Sequence, residues 1–149
     1  MGLIDEVPDG ARIALDTSAL IYYIEEHTRF GPIIDPLFLA IADGRNAAFV
    51  SVVSFAETLV APFRAGRVDL ADRYRLLLTS TDNLNLVPVT RALAEEAARI
   101  RASHKLRLPD ALIAATAAVE RCSKLIANDR RFTTVPSFET VIISRFTDT

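Results

Sequence analysis

The sequence has few of the residues that build disulfides, thiolate metal sites and membrane spans. Cys122 is the single cysteine among 149 residues, which excludes an internal disulfide and a cysteine-based zinc site within one chain. The two histidines, His27 and His104, are far apart in the sequence. No run approaches the roughly 18 uncharged apolar residues that a membrane helix needs, and the acidic N-terminal segment does not resemble a signal peptide. We therefore expect a soluble protein of a reducing cytoplasm.

Glycine and lysine are also scarce, and the charge is nearly balanced. The formal net charge is −2, which argues against a protein that binds nucleic acid mainly through a broad basic face. With five glycines, the chain has no glycine loop of the kind that cradles phosphates, and common nucleotide-binding folds are excluded. Ser54 lacks the flanking glycines of a nucleophile elbow, so a hydrolase triad has no support.

Apolar runs alternate with amphipathic segments along the whole chain. Half of the residues are hydrophobic, enough for a core at this length, and we predict a single domain over residues 1–149. The predicted strands are residues 12–15, 48–53, 85–89, 124–127 and 141–144. The predicted helices are residues 19–26, 34–42, 54–66, 68–79, 90–104 and 110–120. This alternation predicts an α/β fold with a doubly wound, mostly parallel sheet and helices on both faces.

Four acidic residues occupy positions where such a sheet binds its ligands. Asp16 directly follows the first predicted strand, and Asp129 closely follows the strand at residues 124–127. Glu57 is predicted in the first turn of a helix capped by Ser54, and Asp110 in the first turn of an apolar helix. Ligands of open α/β sheets bind outside the carboxyl ends of the strands. We therefore expect all four acids to face one edge of the sheet.

Each acid also has a purely structural explanation. Asp16 suits a helix cap, Asp110 complements a helix dipole, and Asp129 suits a turn. Glu57 would complete a capping box with Ser54.

The surroundings favour a metal site. Three of the acids lie in apolar stretches, where unpaired carboxylates are costly and repel one another. Oxygen ligands without clustered histidine or cysteine suit Mg²⁺ or Mn²⁺. Such a site predicts hydrolysis of a phosphodiester without a protein nucleophile.

Four segments carry a family resemblance, in order and across nearly the whole chain. They are residues 15–20 (LDTSAL), 51–58 (SVVSFAET), 108–115 (LPDALIAA) and 128–132 (NDRRF). The sequence resembles a PIN-domain nuclease, and most closely a VapC-type toxin of a toxin–antitoxin pair. The resemblance implies a PIN-like fold, cleavage of single-stranded RNA, and Mg²⁺ or Mn²⁺ held by four ligands, Asp16, Glu57, Asp110 and Asp129. Asp129 would act directly or through water.

The resemblance also implies supporting residues and partners. The hydroxyl of Thr17 or Ser18 and the side chain of Asn128 would orient ligands or water. A homodimer and an inhibitory antitoxin are expected. The helices at residues 34–42 and 68–79 are candidates for an apolar antitoxin patch, although their faces suit a dimer contact or the core equally well. Arg130 and Arg131 are candidate RNA-binding residues, although a solvated loop explains them equally well.

Two departures from the family pattern leave alternatives open. Ala127 stands where a hydroxyl residue is frequent, and Arg131 stands where an acid is frequent, so the number of acids in the site is unsettled at this point. One alternative is a PIN-like module that binds RNA or protein with weak or lost activity. Another is a housekeeping nuclease that processes RNA.

Overall fold

The computed structural model describes residues 1–147, which form a five-stranded parallel sheet. The strands are β1 (Arg12–Leu15), β2 (Ala47–Ser51), β3 (Leu84–Val87), β4 (Lys124–Ala127) and β5 (Glu139–Ile142). Their order across the sheet is β3-β2-β1-β4-β5, with every neighbouring pair parallel. The chain moves outward from β1 to β3 and then returns to the other side of β1. The switch point therefore lies between β1 and β4, and the predicted doubly wound parallel sheet is confirmed.

Helices cover both faces of the sheet, as predicted. They are α1 (Thr17–Ile24), α2 (Gly31–Ala42), α3 (Val52–Arg64), α4 (Val68–Ser80), α5 (Arg91–Ser103) and α6 (Leu108–Val119). Short 3-10 helices span Leu3–Glu6, Arg130–Thr134 and Ile143–Phe146. Within residues 1–147, no helix combines the length and apolar character needed to cross a bilayer. Residues 148 and 149 of the predicted domain lie outside the described part of the chain.

Two hydrophobic cores lie on opposite faces of the sheet. Successive side chains of a strand point to opposite faces. In β1, Ile13 and Leu15 accordingly join the core with α1, α2 and α4, whereas Ala14 joins the core with α5 and α6. All three side chains are buried, as expected for a central parallel strand. This packing holds the carboxyl ends of β1 and β4 rigidly beside each other.

The junction of β2 and α3 differs from the prediction. The strand ends at Ser51, whose hydroxyl accepts a hydrogen bond from Val53 N at 3.0 Å and caps the helix. The predicted cap, Ser54, is instead buried inside α3. Glu57 therefore lies in the second turn, and the predicted capping box does not form. Val52 and Val53 favour a strand by composition, but the cap at Ser51 starts a helix there.

Other predicted boundaries were also wrong. α1 spans Thr17–Ile24 rather than 19–26, and β3 spans Leu84–Val87 rather than 85–89. β5 ends at Ile142, because the next residues turn into a 3-10 helix, so the predicted strand at residues 141–144 started and ended too late. α2 begins at Gly31 because Pro32 occupies its first turn, where proline is favoured. The cap at Thr90 and the position of Asp110 in the first turn of α6 are confirmed. Asp16 caps α1, so Thr17 and Ser18, which suit a cap by residue type, lie instead in its first turn.

Candidate active site

Asp16 stands at the switch point of the sheet. Its backbone N–H donates to Ile126 O in β4 at 3.0 Å, which ties the end of β1 to its neighbour. Its carboxylate Oδ1 accepts hydrogen bonds from Ser18 N at 2.5 Å and from Ser18 Oγ at 2.9 Å. The residue is only 8% exposed. Asp16 thus caps α1, and the Ser18 hydroxyl orients its carboxylate.

Burial makes the charged form of Asp16 costly. It raises the pKa of Asp16 from its ordinary value of 3.8 to about 6, although the two Ser18 hydrogen bonds act in the opposite direction. The negative charges of Asp110 and Glu57 contribute further to the rise. Asp110 and Glu57 are therefore close enough to Asp16 for their charges to act on it.

Glu57 is the exposed member of this group and is oriented by Thr17. Thr17 Oγ1 donates to Glu57 Oε1 at 2.6 Å and lies 2.9 Å from the buried Ser54 Oγ. The hydroxyls of α1 and α3 thus form a short chain that ends on the carboxylate. Ser54 was missed as a supporting residue, although its position three residues before Glu57 places both on one face of a helix.

Asp110 carries the clearest unsatisfied group of the site. Its side chain is 13% exposed, and within residues 1–147 its Oδ2 has no hydrogen-bond partner. The nearest cations are Arg107 Nε at 3.6 Å and Arg131 Nη2 at 3.8 Å, both beyond hydrogen-bond distance. A buried carboxylate oxygen without a donor is destabilising. A bound cation would remove that penalty.

Asp129, in contrast, is already paired with a cation. Arg131 Nε lies 3.1 and 3.0 Å from its two oxygens, and Arg131 Nη2 lies 2.5 Å from Oδ2. The Asp129 carboxylate also accepts from Arg131 N at 2.9 Å and caps the following 3-10 helix. The Arg131 guanidinium holds the pKa of Asp129 below its ordinary value. Arg131 therefore faces the acidic site, although its side chain is still 47% exposed, and Arg130 beside it is exposed as well.

Asn128 joins three parts of the chain. Its Nδ2 donates to Tyr22 Oη at 3.1 Å, and its Oδ1 accepts from Ser144 N at 2.9 Å. The side chain thus fixes the end of β4 against α1 and the last 3-10 helix. Both of its polar atoms are engaged in these contacts, so its predicted role in orienting a ligand would be exerted through the position of the Asp129 backbone.

The donor set fits a hard divalent cation in its chemistry. The available groups are carboxylate and hydroxyl oxygens, and Asp110 Oδ2 is a buried acceptor that lacks a hydrogen-bond partner within residues 1–147. In the described residues, no three His, Cys, Asp or Glu side chains converge into a preformed metal cage. Two of the four acids are engaged by protein partners, Glu57 by Thr17 and Asp129 by Arg131.

Comparison with known proteins shows the family. The PIN-domain family model matches residues 13–137, whereas no curated protein matches the chain. Among solved structures, VapBC2 of Rickettsia felis bound to promoter DNA is similar with a TM-score of 0.72 and 17% identity, covering 88% of this chain and 98% of the other. A toxin–antitoxin complex from Klebsiella pneumoniae is similar with a TM-score of 0.66 and 24% identity, and the match covers 88% of this chain and 97% of the other.

A further similar structure is Mycobacterium tuberculosis VapC20, described as a toxin that cleaves the sarcin–ricin loop. Its TM-score is 0.66 at 18% identity, and the match covers 82% of this chain and 93% of VapC20. All three are likenesses of fold, and they agree with the parallel sheet and its helical layers. Because the family model spans most of the sequence, the chain belongs to the PIN-domain family of nucleases.

Proposed function

We propose that this protein is a metal-dependent endoribonuclease and the toxin of a toxin–antitoxin pair, formed as a single PIN domain over residues 1–149. The observation that carries the proposal is the buried Asp110 Oδ2, which lacks a hydrogen-bond partner among residues 1–147 and whose charge acts on the buried Asp16. Burial of these two carboxylates costs stability unless a cation compensates them at closer range than the two guanidinium groups, which lie 3.6 and 3.8 Å from Asp110 Oδ2. Their placement is therefore better explained by function than by folding.

Asp16, Asp110 and Glu57 would hold Mg²⁺ or Mn²⁺, with Asp129 as a fourth ligand, direct or through water. When bound, the cation supplies charge compensation and an activated water for in-line attack on a phosphodiester. The Ser18 and Thr17 hydroxyls orient Asp16 and Glu57, respectively.

The proposed partners are an antitoxin and a second copy of the chain. Several of the similar structures are complexes of toxin with antitoxin, which supports the first. The helices predicted to carry an apolar patch do expose large apolar side chains, with Leu39 of α2 61% exposed and Leu76 of α4 66% exposed. Such side chains suit an antitoxin or homodimer contact. We place the protein in the cytoplasm, where an RNA substrate and a reduced Cys122 would both be found.

The test is cleavage of single-stranded and structured RNA by the purified protein with Mn²⁺, with Mg²⁺ and with EDTA. We expect cleavage only with a divalent cation, and loss of cleavage in Asp16→Asn. Persistent cleavage in EDTA would overturn the metal-dependent mechanism. Toxicity on expression, relieved by co-expression of the product of a neighbouring gene, would distinguish a toxin from a housekeeping nuclease.

A second candidate function is an RNA- or protein-binding module with weak or lost activity. It is favoured by the ion pair between Arg131 and Asp129, which engages one of the four acids. RNA binding without turnover at saturating Mn²⁺ would support this candidate, and robust turnover would reject it.

A further inference from the structure

A cationic cavity lies beside the carboxylate site and has no role in the mechanism above. Its volume is about 470 Å³, and it opens between the end of α5 and the 3-10 helix Arg130–Thr134. It is lined by Ser103, His104, Lys105, Arg130, Arg131 and Thr134. A cavity of this size accommodates a phosphate group with part of a nucleoside. We refer to it as the basic cavity.

The walls of the basic cavity are fixed by tertiary contacts. Leu106 is buried and anchors the loop between α5 and α6. Arg101 Nη1 donates to Leu106 O at 3.1 Å, which holds that loop against the last turn of α5. His104 Nδ1 lies 3.1 Å from Thr134 Oγ1 and joins the two walls. The cavity is therefore a formed feature of the fold.

Two cations of the basic cavity are not neutralised by residues 1–147 of the protein. Many surface cations of the chain are ion-paired, such as Arg99 with Glu95 and Lys124 with Glu139. Lys105 and Arg130 have no ion-pair partner in that described range. A pair of unneutralised cations at the rim of a cavity favours an anionic ligand.

The cavity adjoins the carboxylates through one residue. Arg131 lines it, and its guanidinium pairs with Asp129 and lies 3.8 Å from Asp110 Oδ2. An RNA strand that places one phosphate at the carboxylates also brings its neighbouring phosphates close to them, because the phosphates are joined covalently. The overall charge of −2 gives such a polyanion no general attraction, so local cations have to supply it.

We propose that the basic cavity is a subsite for a phosphate of the RNA strand that flanks the phosphodiester to be cut, with Lys105 and Arg130 as its binding residues. The assignment rests on the proposed function. It adds Lys105 to the candidate RNA-binding residues, and of the two arginines predicted for the loop it assigns the phosphate contact to Arg130 rather than Arg131.

The experiment compares two double variants, each of which removes two positive charges. The first, Lys105→Ala combined with Arg130→Ala, removes the two cations of the basic cavity that are unpaired within residues 1–147 and is called the cavity variant. Arg64→Ala with Arg91→Ala is the matched control, because both arginines are exposed and neither has an ion-pair partner within residues 1–147. Arg64 ends α3, and Arg91 begins α5 near the end of α6. Binding of a short labelled single-stranded RNA is measured in EDTA at salt concentrations from about 50 to about 200 mM.

We expect the cavity variant to bind roughly ten-fold more weakly at low salt. Its slope of log K against log salt should be shallower by about 0.7 for each phosphate that the protein no longer neutralises. The control should stay within about two-fold of the wild type. Equal binding by both variants, or an equal reduction in both, would overturn the proposal. Displacement of RNA by a polyglutamate peptide as readily as by unlabelled RNA would assign the cavity to acidic peptides instead, which also overturns it.

Cleavage with Mn²⁺ separates this proposal from the proposed function. If the wild type cleaves RNA and the cavity variant binds RNA normally, the subsite is wrong and the nuclease assignment stands. If the wild type does not cleave but the two variants differ in binding as expected, the nuclease assignment fails and the cavity remains an RNA-binding site.

Discussion

Replacing Asp16 by asparagine should stabilise the metal-free protein while it abolishes activity. The pKa of Asp16 is raised from 3.8 to about 6 in the folded state, so the folded chain binds this proton more tightly than the unfolded chain. Ionised Asp16 therefore destabilises the fold. That destabilisation is fully present above about pH 6 and disappears as the pH falls below about 4.

The size of this change in stability follows from the pKa shift of Asp16. One pKa unit corresponds to about 1.4 kcal/mol, so a shift of about two units gives an upper value of about 3 kcal/mol. The asparagine Oδ1 can still accept both Ser18 hydrogen bonds, so the cap of α1 is retained. We expect Asp16→Asn to raise the free energy of unfolding by on the order of 1–3 kcal/mol near pH 7.5, or by a few degrees or more in melting temperature.

The assay is thermal and urea unfolding in EDTA, near pH 7.5 and again near pH 4. Asp35→Asn on α2 is the matched control, because that acid is exposed and should change stability by no more than about 0.5 kcal/mol. The gain in Asp16→Asn should shrink towards zero at the lower pH. A variant that is destabilised near pH 7.5, or a gain that is the same at both pH values, would refute the reasoning.

Three further predictions concern the neighbours of the site. Arg131→Ala removes a cation beside the acids and frees the Asp129 carboxylate. We therefore expect Mn²⁺, measured by calorimetry, to bind roughly five-fold more tightly, a gain of about 1 kcal/mol in binding free energy. Weaker Mn²⁺ binding by this variant would contradict the expectation. Thr17→Val removes the donor to Glu57 and should slow RNA cleavage roughly ten-fold. Thr17→Ser should retain the rate, and equal rates in both variants would reject an orienting role. Ser51→Ala should cost about 1 kcal/mol in urea unfolding as the loss of a helix cap, and an unchanged stability would mean that the cap is unimportant.

Local sequence signals predicted the elements that position the site. β1 and β4 were predicted to the residue, because each is a short apolar run bounded by polar residues. Pro109 marked the first turn of α6 and so placed Asp110 correctly. The error at α3 arose because two serines three residues apart both suit a cap, and the intervening valines favour a strand. Burial of Ser54 against α1, which no local pattern contains, decides between them.

The interactions within the site could not be predicted, because they join distant parts of the chain. Thr17 meets Glu57 across 40 residues, and Asn128 meets Tyr22 across 106. The pairing of Arg131 with Asp129 is local, but its geometry depends on the 3-10 helix that Asp129 caps. Sequence reasoning therefore selects the four acids as candidates, whereas the difference between Asp110, which has an oxygen without a hydrogen bond within the described residues, and the paired Asp129 emerges only in three dimensions.

The central claim is that buried carboxylates at the switch point exist to hold a catalytic divalent cation. The most direct measurement is the rate of single-stranded RNA cleavage as a function of Mn²⁺ concentration, for the wild type and for Asp110→Asn. We predict saturable, Mn²⁺-dependent cleavage by the wild type, no cleavage in EDTA, and a decrease of at least about a hundred-fold in the variant. Cleavage by Asp110→Asn at the wild-type rate and with the same Mn²⁺ dependence would contradict the claim.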